Sequence, residues 1–107
     1  MKHLEFSFGA LIKLTDLTGL DPDTIFNDQS KSISLKRVRD IYRAARYNED
    51  PGMTEEEACK EIDEAIAEEE DGFKAVLEAL KRAMHNSTLF KKKSVAGEKK
   101  IQAKTSE

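Results

Sequence analysis

The breaks in this chain limit its fold more than any run of residues does. Gly19 followed by Asp21-Pro22, then Pro51-Gly52, then Gly72, interrupt every stretch of helical periodicity before residue 88. Gly accepts the left-handed conformation that ends a helix, and Pro suits the first position of the next one. The segments between the breaks must bury their apolar stripes against one another. The expectation is an all-α fold: a small bundle of four to five helices over residues 1–87, led by a short extended segment. Residues 88–107 form a separate basic tail, expected to be disordered because so few large apolar side chains cannot offset the entropy of ordering it.

Each segment carries its own signals. Leu4, Phe6 and Phe8 share one side of a short edge strand or extended arm, which packs either on the helices or on a partner. Ala10, Leu11, Leu14 and Leu17 form the stripe of a helix over Gly9–Thr18, with Ile12 off that stripe and Gly19 as its stop. Asp21 and Pro22 open a short helix anchored by Ile25 and Phe26. Ser34, or Ser32, caps a third helix with Leu35, Val38, Ile41, Tyr42 and Ala45 on one face, ending near Tyr47. Thr54 and Glu57 have the spacing of a capping box before the stripe Ala58, Ile62, Ala65 and Ile66. The acidic run Glu68–Asp71 and Gly72 end that helix, and Phe73, Val76, Leu77, Leu80 and Met84 mark the last one.

Charge is spread unevenly. Residues 36–46 carry five basic side chains against Asp40, residues 55–71 carry ten acidic side chains against Lys60, and the tail carries six Lys against two Glu. A +4 helix beside a −9 helix suggests pairing within the fold, although each exposed pair contributes only about 0–1 kcal/mol. The same basic residues admit a second reading, a DNA recognition helix over 34–47 in a small regulator. The acids of 55–71 lack the ligand spacing of a calcium loop and read as a solvated or partner-facing surface.

Other chemistry is sparse. Cys59 is the single cysteine, so there is no internal disulfide framework, and with His3 and His85 it cannot make a typical zinc set. Cys59 reads as a small, partly buried hydrophobe and the histidines as surface or capping residues. The glycines are isolated, so no phosphate-cradling loop is expected. No basic segment followed by a long apolar run opens the chain, and no apolar run is long enough to span a membrane. No enzyme activity, cofactor or metal is expected.

The order of segments points further. Leu17-Thr18-Gly19-Leu20-Asp21-Pro22 is followed by Ile41-Tyr42-Arg43-Ala44-Ala45-Arg46, then by Asp50-Pro51-Gly52-Met53-Thr54-Glu55-Glu56-Glu57-Ala58 and Ile62-Asp63. Over residues 4–85 this resembles the small tail assembly chaperones of long-tailed bacteriophages and related prophages. The resemblance implies a mostly helical, often self-associating protein. It would coat the apolar coiled-coil tape measure protein, help recruit tail tube subunits in the host cytoplasm, and be absent from the mature virion. No catalytic residues come with it. The side chains open to a client are Leu4, Phe6 and Phe8 of the arm, Leu11, Leu14 and Leu17 of the first stripe, and Phe73, Leu77, Leu80 and Met84 of the last. Which stripe is core and which is surface stays open, as does a structural role in a head–tail connector. Many such phages also make a longer chaperone by ribosomal frameshifting. Phe90-Lys91-Lys92-Lys93 is compatible with a slippery codon run, while the simpler reading is a plain Lys-rich terminus.

Overall fold

A computed structural model of the chain describes residues 1–27 and 34–87. Within them are five helices: α1 (Phe8–Thr18), α2 (Pro22–Asn27), α3 (Leu35–Ala45), α4 (Glu55–Glu68) and α5 (Phe73–His85). The expected tail, the Ser32 cap and the Phe26 anchor lie outside the described residues or side chains.

The breaks act as expected. Gly19 sits at φ 73° and its N–H donates to the Thr15 carbonyl at 2.7 Å, closing α1. Pro22 takes the first position of α2, and the Asp21 carbonyl accepts from the Ile25 N–H at 3.1 Å. At α4 both halves of the capping box form: the Glu57 N–H donates to Thr54 Oγ1 at 3.1 Å, and the Thr54 N–H donates to Glu57 Oε1 at 2.9 Å. Gly72 turns the chain into α5 at φ 58°, a conformation that an L side chain resists.

Several expectations need correction. α1 begins one residue early because Ser7 caps it, with Oγ accepting from the Ala10 N–H at 3.2 Å. Of the two readings of the first residues, strand or extended arm, the arm is found: residues 1–6 run as an arm with a backbone bond from the Glu5 N–H to the Ala45 carbonyl at 3.0 Å. Leu35, assigned to the α3 stripe, is exposed at the first position of the helix. Cys59 is exposed too, on the outer side of α4 one position past buried Ala58.

α3 is the hub: it packs on α1, α4 and α5. Ser7, just before α1, bonds Asn48, just after α3, so α1 and α3 meet with opposite ends together. Across α3 and α4 the contacts advance in step, from Arg39 with Glu55 to Arg46 with Glu61. The turns around Pro51-Gly52 must therefore carry the chain back along α3 before α4 starts. Tyr42, Phe6, Leu14, Val38 and Val76 are the largest fully enclosed side chains. Each such burial contributes about 1.5–3 kcal/mol relative to exposure.

Candidate functional site

The charged seam between α3 and α4 holds a buried arginine. Arg46 is 7% exposed and its guanidinium bonds three residues. Its Nε donates to Glu61 Oε1 at 3.0 Å, and its Nη1 donates to the His3 carbonyl at 3.2 Å and to Glu49. Tyr42, fully enclosed, donates its hydroxyl to the same Glu61 oxygen at 2.8 Å. One carboxylate thus serves a cation and a phenol, and the cation holds the arm by its backbone.

The environment shifts both groups. Burial, reinforced by the bond to Glu61, pushes the Tyr42 hydroxyl well above the usual phenol range. For Arg46 burial works against the charge, but the bonds to Glu49 and Glu61 outweigh it and raise the guanidinium above its ordinary value. The sequence pointed to pairing between the basic and acidic helices, but not to the burial of Arg46 within it. The available signal was an arginine at the end of a helix whose next neighbour is strongly acidic.

The rest of the seam is shallower. Arg39 is held by Asp40 at 3.1 Å and reaches Glu55 at 3.4 Å. The Asp40 bond leads in raising the Arg39 guanidinium. Arg43 donates from Nε and Nη2 to the Met53 carbonyl at 3.2 and 3.0 Å, pinning the turn before α4. Pairing between the two helices is therefore present. It engages three of the five basic side chains that the DNA-binding reading required.

The ten candidate client-binding residues divide by burial. Phe6, Leu11, Leu14, Leu80 and Met84 are in the core and give an incoming partner no surface. They are excluded for a packing reason: a chain this small needs the inner side of both stripes, and the arm's Phe6, to close one core. Leu4, Leu17, Phe73 and Leu77 are half-buried. Phe8 is 66% exposed, and Ile12, one turn along and outside the candidate set, is 49% exposed. Among the described residues the exposed large apolar side chains are thus Phe8 and Ile12 on α1, Leu35 at the start of α3, and Met1.

The arm lies between α4 and α5 with an open groove on each side. The groove toward α5 has a volume of about 510 Å³ and is lined by Leu4, Ala75, Ala79 and Ala83, with Glu78 and Arg82 at its rim. The groove toward α4 is about 230 Å³ and is bordered by Lys2, Glu61, Glu64 and Glu68. The Met1 ammonium pairs with Glu68 Oε1 at 3.0 Å. Most other α4 acids face outward, and no helix among the described residues is long and apolar enough to cross a membrane.

Comparison with protein-family models, curated proteins and solved structures returns no match to the chain.

Proposed function

We propose that this chain is a tail assembly chaperone of a long-tailed phage or prophage, binding the tape measure protein and helping to recruit tail tube subunits without catalysis. The observation that carries the reading is where the resembling segments fall. Leu17–Pro22 forms the stop of α1 and the start of α2, Ile41–Arg46 holds the buried arginine, and Asp50–Ala58 forms the turn and capping box before α4. In the structure these segments are helix ends, caps and turns, which supports a likeness in the framework of the fold.

The surface suits the task. A client made of amphipathic helices needs apolar contact, which Phe8 and Ile12 offer. It also needs a carrier that stays soluble while bound, and the outward acids of α4 provide repulsion between loaded complexes. Host cytoplasm is the place where such assembly occurs, and the finished particle would lack the chain.

Co-expression with the tape measure protein from the same gene cluster tests the reading. The expected result is a soluble complex that co-purifies, weakened by Phe8→Ser with Ile12→Ser. A tape measure protein that is soluble alone and does not co-purify would overturn it, as would finding the chain as a stoichiometric part of purified virions.

A further inference from the structure

We propose that the groove between the arm and α5 is the seat of the chain's own residues 89–93, with Leu89 and Phe90 over its alanines and the three lysines at its acidic end. The inference is independent of the proposed function.

The first observation is where the described chain stops. Ser87 is 3% exposed, and its N–H donates to the Met84 carbonyl at 3.0 Å. Its neighbour Asn86 lines the groove of about 510 Å³. The chain therefore reaches residue 88 beside the groove and from a buried position, not from a helix end standing in water.

Groove and segment also match in order. From Asn86 the lining runs past Ala83 and Arg82, then Ala79 and Glu78, then Ala75, and ends at Glu69. From Thr88 the segment offers one uncharged polar residue, then Leu89 and Phe90, then Lys91, Lys92 and Lys93. A run antiparallel to α5 sets the two large apolar residues on the small ones, and it carries the lysines past Glu78 to Glu69, Glu70 and Asp71. Glu70, Asp71 and Glu78 are exposed and pair with no cation among the described residues. The lengths agree. α5 has 13 residues, or about 20 Å of helix, and six extended residues beyond Ser87 span roughly 20 Å. A segment with so few apolar residues cannot offset its ordering entropy alone, and the groove supplies the surface it lacks.

Nuclear magnetic resonance of the full chain, with alanine methyls labelled, tests the seat. The expected result is a set of cross-relaxation contacts from the Phe90 ring to the Ala79 and Ala83 methyls. Those methyl signals should be displaced by the ring and should move in Phe90→Ser, a change that leaves the contacts among the five helices in place. Carbodiimide should couple one of the three lysines to Glu69, Glu70, Asp71 or Glu78, with a yield that falls severalfold in Phe90→Ser. Absence of the Phe90–alanine contacts overturns the proposal, and so do alanine methyl signals unmoved by Phe90→Ser. A mixture of labelled and unlabelled chains separates the sources: contacts confined to one chain support the proposal, and contacts found only between chains overturn it.

Discussion

α3 and α4 are neighbours of opposite charge, yet they use their charges differently. α3 turns Arg39, Arg43 and the adjoining Arg46 onto acids or carbonyls of the protein. α4 directs Glu55 and Glu61 at α3, uses Glu57 for its own cap, and leaves most other acids facing water. Side-chain length accounts for the difference. An arginine can lay its apolar stem along a helix and still reach a partner, whereas a carboxylate on a short stem stays where its helical position puts it. Within the seam, depth then decides worth: Glu61 is 17% exposed and Glu55 is 61% exposed.

The largest expected effect tests that depth. Arg46→Met keeps the stem but leaves Glu61 and the His3 carbonyl without the cation. It should lower stability by about 3 kcal/mol, as removal of one partner of a buried pair does. Denaturant unfolding measures this, and the double variant Arg46→Met/Glu61→Leu should recover part of the loss. A loss no larger than that of a surface pair would erase the contrast between the deep and shallow ends of the seam.

Tyr42→Phe comes next. It deletes the phenol that shares Glu61 and should cost about 1 kcal/mol near neutral pH. Its pH behaviour sharpens the point. The folded protein holds the Tyr42 proton above the pH at which an unfolded tyrosine loses it. The stabilisation is therefore present below about pH 10 and declines as pH rises beyond that value. Unfolding midpoints across this range should fall for the parent chain and fall less for Tyr42→Phe. Equal slopes would mean that Tyr42 does not carry the effect.

Thr54→Ala removes the hydroxyl that caps α4 and should also cost about 1 kcal/mol, read from thermal unfolding. This loss would be local to α4, since α3 starts from its own cap at Ser34. The smallest change is expected from Glu55→Ala, below about 0.5 kcal/mol and smaller still in high salt. A larger, salt-resistant loss would show that the exposed end of the seam matters as much as the enclosed end.

Much of this fold is legible in the residues. Gly19, Pro22, the Thr54–Glu57 box and Gly72 are local devices: their partners lie within a few positions, so spacing alone finds them. The stripes of α3, α4 and α5 are legible for the same reason. What escapes is set by contacts distant in sequence. Periodicity puts Arg46 on an outer face, and only the approach of Glu61 and His3 encloses it. Leu35 matches the α3 stripe but stands exposed at the first position of the helix. Phe6 and Phe8 look equivalent in an alternating arm, yet one is enclosed and the other faces water because α1 begins between them. The candidate surface was half legible for that reason: an apolar stripe reveals that burial occurs, not which end of it the neighbours leave uncovered.

The hydrogen bond between Arg46 and the His3 carbonyl spans 43 positions. On a ribosome, at about 5–20 residues per second, Arg46 is made roughly 2–9 s after His3. Through that interval the arm has no seat, because α4 and α5 are not yet made either. Phe6 must then wait in water until its seat is made. The order of synthesis thus makes the first residues of the chain wait for the last helices before they can be placed.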